Sequence, residues 1–483
     1  MSDKEKSYRN TALLGVSSVV NILLSVIRNK VFSIYLGPAG IGQLGILNDF
    51  INSIHTVGTL GVGNSGVQAV SKASVESGDA VKKVFNSLLF AFSIISVLLV
   101  AGIIIFAGPI SQSLAGNDTY IIYLRIAAFA LLFKFRTSIQ STLITGMKRV
   151  GMLARANILQ GVITTVLGII LVIALRNQAV PYLILSLALG GWLVSYYQSN
   201  RVLKELPGHR QLLQFREMSP IFILGFSSLW ASLLESVVNL VNKSWINQYF
   251  GQDHLGYYQV AIGFTGAYIG FITTSIITNY YPNLVTKVQD GTKAINEYVN
   301  QQIGISMALI MPLLFIMLTF SRLFLTILFS EKFLAANALI SYTVAGTLIQ
   351  VVAWPIAYVF LAHRATRTYF ISESVGNGSM LLLSFFAVRS GLFPMIGLAY
   401  VLHYVIYLAL IIFLFYRKFG GMISAENIWL FLINAVIIAG IVISKGFFSD
   451  NITYLIGSIL IALYFYRSRK EYLFMLNTIL KRK

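Results

Sequence analysis

Apolar residues run along this chain in long stretches, one after another from about residue 10 to about residue 466, each closed by a short polar or glycine-bearing segment. A run of about 18–25 apolar residues suits an α-helix crossing a hydrocarbon layer some 30 Å thick, because each helical residue advances about 1.5 Å. The runs are continuous and do not alternate apolar with polar residues, which excludes the strands of a membrane barrel. The pattern predicts fourteen membrane-spanning helices, at about 10–35, 41–63, 84–107, 120–145, 152–175, 180–200, 219–246, 254–281, 299–320, 336–361, 368–388, 394–416, 428–446 and 451–466. The fold class is therefore an all-α polytopic membrane protein, and the even number of spans places both termini on one side.

Composition agrees. Of 483 residues, 57% are hydrophobic and 11% charged, with a mean hydropathy of +0.76. The polar opening MSDKEKSYRN followed by a long apolar run is unlike a cleavable signal peptide. There is no cysteine, which excludes disulfides and thiolate metal sites.

The net charge of +19 could suggest nucleic acid, but its distribution says orientation. With the N-terminus in the cytoplasm, the inside segments carry Lys72, Lys82, Lys83, Arg201, Lys204, Lys287, Arg364, Arg367, Arg417 and Lys418, among others, and a basic tail ends the chain. The outer loops carry only Arg176, Arg322, Lys332, Arg389 and Lys445. Positive charge gathers on the cytoplasmic side of membrane proteins, so the expectation is a multi-pass membrane protein with both termini inside. The tail is then an orientation signal and a contact for anionic lipids, with no nucleic-acid partner.

The first half of the chain recurs in the second. LGVSS at 14–18 matches LGFSS at 224–228; YLGPAGIG at 35–42 matches YFGQDHLG at 249–256; NSGVQAVSK at 64–72 matches NYYPNLVTK at 279–287; and Arg149 matches Arg364. The offsets are nearly constant and six spans separate the partners, as in transporters built from parallel repeats. The expected organisation is a six-helix bundle at 1–203, a cytoplasmic linker at 204–218, a second six-helix bundle at 219–418, and two extra helices with a basic tail at 419–483. Such an architecture places a substrate cavity between the two bundles.

Seven cations fall inside predicted spans: Arg28, Lys30, Arg125, Lys134, Arg136, Arg155 and Lys243. Ionisable residues in hydrocarbon cost several kcal/mol, so they default to function. Arg28 continues a stripe with Asn21 and Ser25 at spacings of three and four, and its alternatives are a cavity position or an ion pair with Asp49. Lys30 lies close enough to the helix end to snorkel to the interface, and Arg125 and Arg155 lie near the ends of their spans. The seventh span carries Ser228, Glu235, Asn239 and Asn242 on one face beside Lys243, and the second carries Asn48, Asn52, His55 and Thr59 with Asp49 alongside. The candidate substrate-binding residues are Arg28, Lys30, Arg125, Lys134, Arg136, Lys243, Asn21, Asn52 and Asn239. The candidates for ion coupling or gating are Asp49, His55, Glu235 and Glu373.

Basic groups outnumber acidic ones in the spans, which predicts an anionic cargo, and the Asn/Ser-rich walls suit hydroxyl-rich sugar. A drug or cation antiporter needs the opposite balance, and a static scaffold leaves the buried charges without a purpose. Pro312 and Pro355 are candidate bending points. No phosphate-cradling GxxxxGK[ST] motif is present, and nothing else points to an enzyme, a cofactor or a metal.

YLGPAGIGQLG after a Lys-bearing first helix, GPISQSLAGN at 108–117 and RTYFISESV at 367–375 resemble the Wzx family of lipid-linked oligosaccharide flippases, over about residues 5–418. The resemblance implies two six-helix bundles of the superfamily that also holds multidrug extruders. It implies translocation of undecaprenyl-pyrophosphate-linked glycan, such as O-antigen repeat units, from the cytoplasmic to the periplasmic leaflet. It further implies alternating access driven by a proton or sodium gradient, and a polymerase acting on the product. Lys30 matches the family's first-helix Lys, and Glu373 its acid at the start of the eleventh span. The last two spans depart from the usual twelve.

Overall fold

The computed structural model describes residues 3–59, 61–207, 212–213, 218, 221–222, 230–275, 280–467 and 469, with the backbone alone at 3–12, 14, 64, 231, 267–269 and 271–275. The LGFSS repeat, Ser228, Asn279, most of the expected linker and the tail from 470 onward lie outside the described residues. Among the described residues there are helices and short turns and no strand.

The chain folds as two compact units, Met1–Gly256 with Leu328–Ser330, and Tyr257–Ile327 with Glu331–Lys483. The first holds α1 (Asp3–Gly58), α2 (Val62–Glu76), α3 (Gly78–Ile105), α4 (Ala107–Ala115), α5 (Ile121–Ala128), α6 (Ala130–Gly146), α7 (Val150–Leu175), α8 (Ala179–Glu205), α9 (Trp230–Phe250) and the start of α10 (Gln252–Ser275). The second holds the rest of α10, then α11 (Tyr281–Lys287), α12 (Thr292–Thr319), α13 (Ser321–Leu328), α14 (Asn337–Ala362), α15 (Thr366–Arg389), α16 (Pro394–Phe419), α17 (Ala425–Phe447) and α18 (Asp450–Arg467). Among the described residues eight helical runs are long and apolar enough to cross a membrane, and two of these, Gly15–Gly58 and Val150–Glu205, are long enough for two crossings each.

A straight helix of the length of α1 would reach about 84 Å at 1.5 Å per residue, far beyond a bilayer. It bends at Gly37, whose φ of 63° and ψ of −173° suit glycine alone. Pro38 follows and has no N–H to give to the first helical part. The predicted first and second spans are the two parts of α1. The second part runs only to Gly58; Gly61, at φ 70°, then turns the chain into α2, which packs on α6. The fourth span is two helices, α5 and α6, divided at Phe129.

The repeat is written into the backbone. Lys148 (φ 56°) and Arg364 (φ 53°) close equivalent turns after α6 and α14. In one turn the N–H groups of Lys148 and Arg149 donate to the carbonyls of Thr145 and Ile144; in the other, Arg364 and Ala365 donate to Leu361 and Phe360. The structural equivalent of Arg364 is thus Lys148, one residue before the Arg149 that sequence matching selects. Gly37 and Gly251 (φ 86°) are likewise equivalent, each ending the first helix of its half.

The two repeated turns also meet inside the first unit. A methyl on Gly42 would lie 2.6 Å from the Gln252 carbonyl oxygen and 2.8 Å from the Gly256 nitrogen, and a methyl on Gly256 would overlap the Pro38 carbonyl. Residues 38 and 42 thereby contact the equivalents of each other, and the Gln43 amide donates to Gln252 at 2.7 Å. Only glycine permits this approach.

In the second unit the extra helices are tied down by polar contacts. The Asn300 side chain accepts from the Ser424 N–H at 2.7 Å and donates to the Met422 carbonyl at 2.8 Å, and Asn427 donates to the Asn300 carbonyl at 2.8 Å. These bonds join α12 to the start of α17. Lys445, expected as an outer-loop cation, is instead tucked into a polar niche. It donates to Ser321 Oγ at 2.6 Å and Asn337 Oδ1 at 3.1 Å, beside the Arg322–Asp450 ion pair at 2.8 Å.

Candidate functional site

The second part of α1 presents Asp49, Asn52 and His55 at intervals of three residues, which keeps them on one side of the helix. α9 and α6 pack against it and bring cations to that side. Lys243 of α9, 6% exposed, forms an ion pair with Asp49. Lys134 of α6 donates to Asn52 Oδ1 at 2.5 Å and also feels the Asp49 charge. The His55 ring rests 4.8 Å from that of Phe135, and its buried Nε2 has no hydrogen-bond partner among the described residues. One ammonium group is thus paired with a carboxylate, and the other is held by a neutral amide.

The first part of α1 carries Arg28 into different surroundings. Asn21, Ser25 and Arg28 face Asn157, Gln160 and Thr165 of α7 across a cleft of about 440 Å³. Arg28 is half-buried and makes no ion pair or hydrogen bond among the described residues. Asp49, which sequence reasoning offered to Arg28, belongs to Lys243. Lys30 is half-buried and does not line the cleft.

The remaining candidates are not gathered at either place. Arg125 is exposed in the last turn of α5. Arg136 is half-buried two residues after Lys134, so it leaves α6 about 200° around the helix from it. Glu235 and Asn239 are exposed on α9, and Glu235 pairs with no cation among the described residues. Glu373 belongs to the second unit, where the Tyr407 hydroxyl of α16 donates to its Oε1 at 2.6 Å. His403, nearby on α16, meets Ser379 Oγ at 3.0 Å through Nδ1.

Sequence reasoning missed the wall that α7 supplies. Asn157, Gln160 and Thr164 recur at spacings of three and four, a polar stripe as regular as that of α1. It carries no charge inside the cleft, so a search led by charged residues passed over it.

Comparison with known proteins adds three findings. A family profile described as "Polysaccharide biosynthesis protein" matches residues 34–338, which includes Asp49, Lys134 and Lys243 but neither Arg28 nor Glu373. The lipid III flippase of Escherichia coli (strain K12) is 22% identical over 430 residues, covering 84% of this chain and 97% of that protein. Among solved structures, a lipid II flippase in an inward closed conformation superposes with a TM-score of 0.74 at 16% identity, covering 95% of this chain and 99% of that one. An inward-facing multidrug transporter superposes at 0.62 with 14% identity, covering 81% and 96%. The structural likenesses show the fold.

Proposed function

Because the chain belongs to the polysaccharide biosynthesis protein family, we propose that it is a flippase moving lipid-linked glycan precursors across the bacterial inner membrane. The relatives that support this reading are flippases and transporters, not enzymes. The observation that carries it is the charge balance in the first unit. Arg28, Lys134 and Lys243 stand inside long apolar helices, and of the three only Lys243 is paired with a carboxylate, Asp49, among the described residues. Such an excess of positive charge in hydrocarbon is costly until an anion arrives, and a pyrophosphate-linked glycan supplies one.

The cargo is an undecaprenyl-pyrophosphate-linked oligosaccharide of the O-antigen type, passed to a polymerase outside. Arg and Lys hold the phosphate oxygens, the polyprenyl tail stays in the bilayer, and the head group crosses by alternating access. Both termini lie in the cytoplasm, following the cationic asymmetry of the loops. Coupling runs through Asp49: a proton or sodium ion that neutralises this carboxylate frees Lys243 for the cargo.

The test uses cells lacking the protein. Wild type should restore surface polymer and drain the lipid-linked precursor. Lys134→Met, at equal membrane abundance, should leave precursor inside. Full polymer with Lys134→Met would overturn the role of the cationic cluster. Drug resistance conferred by wild type with no effect on polymer would replace the reading with that of a multidrug extruder.

A further inference from the structure

Resting on the flippase reading, we propose that the cleft between α1 and α7 is a separate subsite that reads an anionic saccharide of the cargo. Its geometry sets it apart from the Asp49 cluster, where both lysines are held by other side chains. In the cleft, among the described residues, Asn21 and Ser25 bond only to carbonyls of their own helix, and two groups have no partner. Thr165 is 4% exposed, and its Oγ1 has no hydrogen-bond partner among the described residues. The Arg28 guanidinium, with five donors, has none either. A buried hydroxyl without a partner costs about 1–3 kcal/mol, which a ligand oxygen removes.

Small residues bring the two helices together at the edge of the cleft and beyond it: Gly161, which lines the cleft, lies against Asn21, and a methyl on Gly168 would come within 2.8 Å of the Phe32 ring. Ser25 and Arg28, which lie between Asn21 and Phe32 in sequence, line the cleft. The volume of about 440 Å³ falls within the ~300–1,000 Å³ common for small-molecule sites.

The lining states the ligand chemistry. One guanidinium matches one anionic group. The amides of Asn21, Asn157 and Gln160 and the hydroxyls of Ser25 and Thr165 match sugar hydroxyls, while Ile22 and Leu24 offer apolar surface for a ring face. A diphosphate alone would leave the neutral α7 wall unused. A cationic drug would meet Arg28. The fitting ligand is a sugar bearing a carboxylate or a phosphate.

The experiment uses the full chain purified in detergent, with its thermal midpoint followed against glucuronate, glucose 1-phosphate, glucose and inorganic phosphate, each up to ~100 mM, a range that reaches millimolar dissociation constants. At least one acidic sugar should raise the midpoint saturably, at concentrations about tenfold below those glucose needs. Whether glucuronate or glucose 1-phosphate does so identifies the anion. Thr165→Val and Gln160→Leu should weaken the acidic sugar about tenfold and alter the response to inorganic phosphate, which makes no use of the α7 wall, less than about twofold. Thr165→Ser keeps the hydroxyl and should bind like wild type, which separates recognition from packing. Arg28→Ala should abolish the response to the acidic sugar.

No response of the folded wild type to either acidic sugar overturns the proposal, and so does equal binding by Thr165→Val, Gln160→Leu and wild type. If wild type restores surface polymer while these variants bind and export normally, the subsite falls and the flippase reading stands. If acidic sugars bind as described but wild type restores no polymer, the subsite stands and the flippase reading falls.

Discussion

The two parts of α1 are continuous in sequence, lie in the same unit and differ in one respect. After Gly37 the charged groups are held by partners: Asp49 has Lys243, and Lys134 has Asn52. Before Gly37, Arg28 has none and looks across open space at a neutral wall. A paired charge in a membrane helix is compatible with a structural task, because the partner offsets its desolvation. An unpaired one is stable only beside water or a ligand. The same helix therefore carries one region whose charges are already engaged and one where Arg28 is not.

The largest effect should come from breaking the pair. Asp49→Ala strands the Lys243 ammonium, whose side chain is 8% exposed, while Asp49 itself is 27% exposed. Removing one member of a buried pair costs about 3 kcal/mol or more, and the variant should unfold at markedly lower temperature in detergent. Replacing both residues, Asp49→Leu with Lys243→Met, should regain most of that loss, since an apolar pair of similar volume is often neutral. A single variant as stable as wild type would show that the pair does not hold α1 to α9.

Arg28→Ala should behave in the opposite way. Its thermal midpoint should stay within what ~0.5 kcal/mol of stability allows, while surface polymer falls at least about tenfold through lost anion binding. If stability and export fell together, the distinction between the two parts of α1 would disappear.

Gly37 joins the two parts, and Gly37→Ala should cost about 1–3 kcal/mol, because a non-glycine residue is strained at φ 63°, ψ −173°. Nothing lies within 4 Å of the added methyl, so the loss would be conformational and not a clash. Thermal unfolding measures it, and a variant that matches wild type would mean that the bend relaxes freely.

How much of this could be read in the sequence depends on the range of each interaction. The spans follow from local pattern, and both the bend at Gly37 and its repeat at Gly251 are visible in YLGPAGIG and YFGQDHLG. Partner choice is not local. Asp49 and Lys243 are 194 residues apart, and nothing in either helix names the other; Arg28 was the nearer candidate and the wrong partner. Lys134 and Arg136 are two residues apart in sequence, yet a helix sends them to different sides. Lys445 read as a loop charge because it lies near a span end, but Ser321 and Asn337 draw it inward. The α7 stripe was legible at spacings of three and four and was passed over for want of a charge.

The smallest effect tests whether the contrast extends to the second unit. Glu373 there is held by a neutral donor, the Tyr407 hydroxyl at 2.6 Å, where Asp49 is held by a cation. Tyr407→Phe removes that donor and should cost about 1–2 kcal/mol, as expected for a hydrogen bond to a charged group. If Glu373 is part of the coupling machinery, the variant should also shift the pH dependence of export measured in vesicles. If the bond only fastens α15 to α16, stability falls and the pH profile keeps its position. An unmoved profile would leave Asp49 as the carboxylate on which to look for coupling, and would place the responsive charges of the protein in the unit where cations outnumber acids.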